Sequence, residues 1–151
     1  MGRKEELMKR TIELAISAIE KGNTPFGAIV VKDGEIIAEA ANETTSSTDP
    51  TAHAELSAIR KAAKTLGRND LSDCELYASG EPCTMCLSAI YYTGIKKVYV
   101  AYFQDEANKY GLGNPYVREQ IKLSNEERDI KYIPLLPEGV KHPYECWKNN
   151  N

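Results

Sequence analysis

Three side chains that can bind a transition metal stand at the starts of two predicted helices. His53 occurs in TAHAEL, whereas Cys83 and Cys86 occur in EPCTMC. Pro82 suits the first turn of a helix, and two thiols three residues apart project to one side of that turn. The positive end of a helix also favours the thiolate, which is the form that binds metal. A structural zinc site normally has four protein ligands, so three ligands predict one zinc ion per chain with a coordination position open for chemistry.

Glu55 follows the histidine by two residues. Alone it would be read as a solvated helix carboxylate, but beside a zinc ligand it becomes a candidate proton carrier. The two cysteines could instead form a thiol–disulfide pair, although such a motif needs no separate His-x-Glu on another helix. A binding module with a purely structural zinc ion is a further alternative, which the absence of an obvious fourth protein ligand disfavours.

The composition limits the classes of protein that this chain can belong to. Its 151 residues are 42% hydrophobic and 27% charged, with a formal net charge of −3, as in a soluble globular protein. We predict a single domain over residues 1–151. The acidic balance argues against a nucleic-acid partner. No apolar run approaches the roughly 20 residues of a membrane span, and the first residues lack the apolar segment of a signal peptide. We therefore expect a cytoplasmic protein with reduced thiols and no membrane partner.

Hydrophobic periodicity predicts an α/β domain that positions these side chains. We expect a helix over residues 4–21 and a β-hairpin over 26–40 that turns at Asp33-Gly34. A second helix should run from about residue 51 to 66, with the histidine and glutamate in its first turn. Strands over 74–79 and 96–102, joined by a helix over 83–94, should be parallel. The result is a mixed sheet with helices against its faces.

Beyond residue 102 the pattern is weaker. It predicts a loop over 111–116, a short helix over 117–129, a strand over 130–136 and a short amphipathic tail over 142–151. Of the two cysteines outside the metal motif, Cys74 should be a small buried hydrophobe and Cys146 should pack beside Trp147.

The combination His-x-Glu and Pro-Cys-x-x-Cys is the signature of zinc deaminases. On this motif the sequence resembles the cytidine and nucleobase deaminase superfamily, and most closely the bacterial guanine deaminases. The resemblance extends over TPFGAIVVKDGEIIAEAAN, DPTAHAELSAIRKA and EPCTMCLSAIYYTG. It implies a three-layer fold with helices on both faces of the sheet. It also implies that His53, Cys83 and Cys86 hold Zn²⁺, and that Glu55 transfers protons while a base is hydrolysed to release ammonia.

The resemblance also suggests how the substrate is held. Asn42, at the end of the second strand, would hydrogen-bond the base, Phe26 would be a pocket aromatic, and main-chain groups near Ala54 would orient polar atoms. Guanine deaminases carry an acidic residue in the loop where this chain has Asn114. The implied reaction is guanine to xanthine; the alternatives are deamination of another base or nucleoside, such as cytosine or guanosine, and of tRNA adenosine, which the net charge disfavours.

The same resemblance implies a homodimer. A tail over about residues 140–151, including Trp147, would pack near the active site of the partner subunit, with segment exchange as one way to form this contact.

Overall fold

The computed structural model describes residues 2–151, which contain a four-stranded sheet and six helices. The strand order is β2-β1-β3-β4, with β1 antiparallel to both of its neighbours and β3 parallel to β4. The elements in chain order are α1 Arg3–Glu20, β1 Gly27–Lys32, β2 Glu35–Ala41, α2 Ala54–Leu66, β3 Glu75–Gly80, α3 Thr84–Thr93, β4 Val98–Tyr102, α4 Gln104–Lys109, α5 Pro115–Lys122 and α6 Pro143–Asn149. The chain divides into two compact units, Met1–Arg118 and Glu119–Asn151. The prediction that all of it is one deaminase domain stays a prediction.

The predicted hairpin and the predicted parallel strand pair are both present. Asp33 and Gly34 have φ angles of 50° and 78°, the left-handed conformation that the tightest two-residue turn requires. The α3 crossover carries the chain from β3 to β4, and a helix between two neighbouring strands allows them to run in the same direction. The two metal-motif segments therefore follow β2 and β3 of one sheet.

Helices cover both faces of the sheet, which confirms the predicted three-layer fold. On one face, Leu7 of α1 packs with Ile29, Val31 and Tyr77. On the opposite face, side chains of α2 and α3 pack on the alternate residues of the strands. Because successive residues of a strand point to opposite faces, β1 is buried on both sides and is almost continuously apolar.

Gly27 marks the closest approach between α1 and β1. A Cβ atom at this position would lie 2.7 Å from the main-chain nitrogen of Ala15 and would also overlap the carbonyl oxygen of Thr11. The absence of a side chain therefore fixes how near the helix lies to the strand.

Two helices begin or end elsewhere than the sequence predicts, and one helix was not predicted. The second helix begins at Ala54 and not at residue 51, so His53 is its N-cap and only Glu55 lies in the first turn. The predicted helix over 117–129 is instead α5, which ends at Lys122, and the short α4 was not predicted. Pattern reasoning places helix ends poorly because caps and tertiary contacts decide them.

The predicted strand over residues 130–136 is wrong, because this segment has no regular structure. A strand needs a neighbour for its main-chain hydrogen bonds, and Pro134 also removes one donor. Within the unit Glu119–Asn151 most large apolar side chains are exposed; they include Ile130, Ile133, Leu135, Leu136, Tyr144 and Trp147. Cys146 is exposed, so its predicted packing is wrong, whereas Cys74 is buried as predicted. Among the described residues, no helix has both the length and the apolar character that crossing a membrane requires.

Candidate active site

Two helix starts bring the predicted metal ligands together. His53 is the N-cap of α2 and Cys83 is the N-cap of α3, each with an extended backbone, and Cys86 lies in the first turn of α3. The Nδ1 atom of His53 lies 3.4 Å from Sγ of Cys83 and 3.5 Å from Sγ of Cys86. The three ligand atoms all lie within 4.8 Å of one another. Residues 30 positions apart in the sequence thus form one cluster.

The cluster has the dimensions of a zinc site. With Zn–S near 2.3 Å and Zn–N near 2.0 Å, the nitrogen and sulfur ligands of a tetrahedral site lie about 3.6 Å apart, close to the two observed distances. In residues 2–151 no fourth His, Cys, Asp or Glu side chain joins the group. His53, Cys83 and Cys86 are therefore positioned to bind one zinc ion and to leave one position free of protein ligands.

The two thiols shift each other's pKa in opposite directions. The hydrogen bond between Cys83 and Cys86, together with the one from His53, lowers the pKa of Cys83 against the effect of burial. The same Cys83 contact, followed by burial, raises the pKa of Cys86. The hydrogen bond with Cys83 also raises the pKa of His53. Two adjacent thiolates repel each other, so a dication that neutralises both fits this arrangement and would release protons on binding.

Glu55 is the buried acid of the site. Its side chain is only 6% exposed, although it belongs to the first turn of a helix. Burial raises the pKa of Glu55 to about 7, and the negative charge at Cys83 acts in the same direction. A carboxyl group with a pKa near neutrality can both accept and donate a proton, so it suits a general acid–base role.

A cavity of about 490 Å³ opens over these residues, a size usual for small-molecule sites. Phe26, Asn42 and Asn114, which the sequence analysis predicted as substrate contacts, all line it beside Glu55. Ala54 does not line the cavity, because its methyl group is fully buried in the core. The predicted role of the main chain near Ala54 stays a prediction.

Hydrogen bonds and close packing hold two of the predicted contact residues, Asn42 and Phe26, in place. The side chain of Asn42 donates to the Thr24 hydroxyl and accepts a hydrogen bond of 3.1 Å from the main-chain N–H of Thr44. These bonds fix the amide in one orientation at the cavity wall. The Phe26 ring lies against Gly80, where a Cβ atom would come within 3.0 Å of the ring. Gly80 therefore makes room for the aromatic side chain.

Several residues in the cavity wall were not predicted. They come from the loop before β1, from the loop after β2 and from the segment that follows β4: Thr24, Thr44, Gln104, Leu112, Val117 and Arg118. Their residue types and spacing carry no motif. Only the fold of the segment after β4 brings them beside the metal ligands, so a sequence signal for them is lacking.

Comparison with known proteins gives a consistent result. The family model for the cytidine and deoxycytidylate deaminase zinc-binding region matches residues 1–102. The chain is 44% identical to the guanine deaminase of Bacillus subtilis (strain 168) over 146 residues, which are 96% of this chain and 94% of that protein. It is 47% identical to the tRNA-specific adenosine deaminase of Aquifex aeolicus over 95 residues, or 63% of each chain.

Solved structures agree with the sequence matches. The X-ray structure of Bacillus subtilis guanine deaminase has a TM-score of 0.90 and 44% identity, and the match covers 96% of this chain and 93% of that one. The structure of the guanine deaminase of Nitrosomonas europaea has a TM-score of 0.67 and 31% identity, covering 71% and 63% of the two chains. Since the family model spans the three metal ligands and Glu55, this chain belongs to the cytidine and deoxycytidylate deaminase zinc-binding family.

Proposed function

We propose that this protein is a zinc-dependent guanine deaminase that converts guanine and water to xanthine and ammonia. One observation carries the proposal: a buried acid and the ligand cluster border the same cavity, where Glu55 lies with His53 and Cys83. The 44% identity to a guanine deaminase over 96% of this chain supports this choice over the tRNA-specific enzymes, which match either a smaller part of the chain or nearly all of it at a lower identity of 33%.

The cavity residues have different roles in the proposed reaction. When bound, a zinc ion with three protein ligands supplies an acidified water as the nucleophile. The carboxylate of Glu55 accepts one proton of the attacking water and passes it to a ring nitrogen of the base. It then takes the second proton, from the hydroxyl that has added to the base carbon, and gives it to the amine, which leaves as ammonia while the carbonyl forms. Asn42 and Phe26 hold the base in place, the amide by hydrogen bonding and the ring by contact with the face of the base.

Asn114 is where this chain departs from the guanine deaminase pattern. It lies at the start of α5, and its side-chain Oδ1 accepts a hydrogen bond of 3.2 Å from the main-chain N–H of Val117. The amide has only one oxygen, and this oxygen caps the helix. That oxygen keeps a single lone pair for the ring N–H and amine of guanine, whereas a carboxylate would offer a second oxygen. An aspartate could keep the cap with one oxygen and accept from guanine with the other.

The test is an ammonia-release assay on metal-loaded protein with guanine, cytosine, guanosine and an adenosine-containing tRNA stem-loop. We expect wild-type protein to act on guanine, and Asn114→Asp to raise its guanine kcat/KM by about tenfold, the effect of one charge-assisted hydrogen bond. Asn69→Asp makes the same chemical change at an exposed position outside the cavity and should have no effect.

Other outcomes would contradict the proposal in distinct ways. Ammonia release from cytosine, guanosine or the stem-loop, with guanine untouched, would keep the deaminase and remove guanine as its substrate. Release from none of these compounds by protein that holds one zinc ion would instead favour the structural zinc module.

Assembly and location complete the proposal. The protein forms a homodimer in which the tail over about residues 140–151 packs on the partner subunit. Exposed aromatic side chains support this, since Tyr144 is 78% and Trp147 67% exposed, and clustered exposed apolar residues usually mark an interface. Four free cysteines, two of them at metal-ligand positions, fit a cytoplasmic location, where thiols stay reduced.

Light scattering at micromolar concentration tests the assembly. We expect twice the mass of the chain for wild-type protein and a shift toward the monomer for Trp147→Ser. A wild-type monomer with full activity would contradict the proposed dimer.

A further inference from the structure

The guanidinium group of Arg118 connects the segment before Cys83 to another part of the cavity wall by hydrogen bonds. The Nη2 atom of Arg118 donates to Oε2 of Glu81 at 3.1 Å, to the carbonyl oxygen of Pro82 at 3.2 Å and to Oε1 of Gln104 at 3.1 Å. Pro82 directly precedes the ligand Cys83. The carbonyl that receives this hydrogen bond thus belongs to the peptide group that leads into a metal ligand.

The carboxylate of Glu81 connects this contact to the sheet. Its Oε1 atom accepts a hydrogen bond of 2.8 Å from the main-chain N–H of Gln104, at the start of α4. The main-chain N–H of Glu81 donates to the carbonyl oxygen of Tyr102 at 2.8 Å. The carboxylate of Glu81 therefore accepts a hydrogen bond from α4 with one oxygen and from Arg118 of α5 with the other.

The ion pair is sheltered from solvent. The side chains of Arg118 and Glu81 are both 29% exposed, less than those of the other ion pairs among the described residues. Charge-assisted hydrogen bonds are stronger where water is partly excluded. Arg118 also lies four residues after Asn114, so the contact fixes the helix that carries this part of the cavity wall.

We propose that Arg118 is a positioning residue: it fixes the segment Glu81-Pro82 and so holds Cys83 in the geometry that binds zinc. A metal ligand must be held within roughly 0.5 Å of its productive place. Groups that orient metal ligands commonly change metal affinity or activity by about 10- to 100-fold when removed. The part of this inference that concerns zinc retention is independent of the substrate, whereas its effect on turnover rests on the proposed function.

The experiment compares Arg118→Met and Arg118→Lys with Arg68→Met. Arg68 is a matched control because it also bonds to a carboxylate, Asp73, and to a carbonyl oxygen, that of Asp70, but does not line the cavity. Zinc affinity is measured by competition with a chelator. The geometry of the thiolate ligands is followed in the visible absorption spectrum of the cobalt-substituted protein.

We expect Arg118→Met to weaken zinc affinity about 10- to 100-fold and to change the cobalt spectrum, while its thermal unfolding stays close to that of Arg68→Met. Arg118→Lys should recover part of the affinity, because its ammonium group can still pair with Glu81 but sits on a shorter side chain than the Nη2 atom that donates to all three acceptors. In the ammonia assay, kcat should fall more than KM rises, since a displaced ligand impairs the reaction more than the contacts to the base.

Wild-type zinc affinity and an unchanged cobalt spectrum in Arg118→Met would overturn the inference, whatever the substrate. If Arg118→Met does not fold, Glu81→Gln tests the same contact, because it keeps the shape of the side chain and removes the charge. It should weaken zinc affinity in the same direction. If Arg118→Met does fold, combining it with Glu81→Gln should weaken zinc affinity no more than Arg118→Met alone. Additive losses of zinc affinity would also overturn the inference.

Discussion

Glu55→Gln should separate proton transfer from metal binding and folding. The substitution keeps the size of a side chain that is only 6% exposed, so it leaves no void in the cavity wall. The amide cannot accept and return a proton, and Glu81, the other carboxylate at the cavity, is already engaged by Arg118 and Gln104. A substitute acid is therefore lacking among the residues that line the cavity.

The size of the effect follows from this absence of a substitute. Removing a general acid–base group costs about 10²- to 10⁴-fold in rate, which raises the activation free energy by about 3–5 kcal/mol. A single group that serves the nucleophile, the ring nitrogen and the leaving amine should lie at the upper end, so we expect kcat to fall by about 10³- to 10⁴-fold. The zinc content should remain one ion per chain, because Glu55 is not part of the ligand cluster.

The assay measures kcat from ammonia release, zinc by elemental analysis and stability by thermal unfolding. Glu35→Gln, at an exposed position of β2, is the control and should match wild type in all three. A Glu55→Gln enzyme that keeps its zinc and retains kcat within about threefold of wild type, against the expected loss, would refute the proton-transfer role. Loss of zinc from this variant would show that Glu55 holds the metal site together, which also contradicts the reasoning.

Three further predictions concern the metal, the packing and pH. Cys86→Ala should lower bound zinc to well below one ion per chain by elemental analysis, while Cys74→Ala should retain it; full occupancy in Cys86→Ala would exclude that ligand. Gly27→Ala should lower the free energy of unfolding by about 1–3 kcal/mol in urea, since its methyl group would lie 2.7 Å from a main-chain nitrogen of α1; an unchanged midpoint would contradict that contact. The hydrogen bond from Arg10 lowers the pKa of Glu39 from 4.5, so Arg10→Met should be less stable than wild type by at most about 0.5 kcal/mol above that pH, because the pair is partly exposed. This difference should disappear as the pH falls through the lowered pKa of Glu39, and a difference that stays constant into acid in which Glu39 is protonated would rule out this ion pair as its source.

The elements before residue 102 could be predicted because their patterns are local. A two-residue turn at Asp33-Gly34 and helix stops at Gly67 and Gly94 depend on backbone conformations that few residues adopt. A strand was wrongly predicted over residues 130–136 because the apolar and β-branched residues of this segment suit a strand. Whether such a segment becomes one depends on a partner for its main-chain groups, which local sequence does not specify.

The metal ligands and the acid beside them could be inferred from residue types and spacing. The identities of His53, Glu55, Cys83 and Cys86, and their places at two helix starts, are sufficient to predict a three-ligand zinc site with a nearby acid. Side-chain type and helical spacing decide which atoms can bind a metal, and both are properties of short stretches of chain.

The environment of the metal ligands and the acid depends on tertiary packing. It buries Glu55 deeply enough to raise its pKa to about 7, commits the oxygen of Asn114 to a helix cap and brings Arg118 against Pro82, 36 residues away in the sequence. Burial, shared hydrogen-bond acceptors and long-range ion pairs arise from the packing of elements that are distant in the chain. Such contacts leave no periodic signal in the sequence, because each depends on where the whole sheet and its helices place a few atoms.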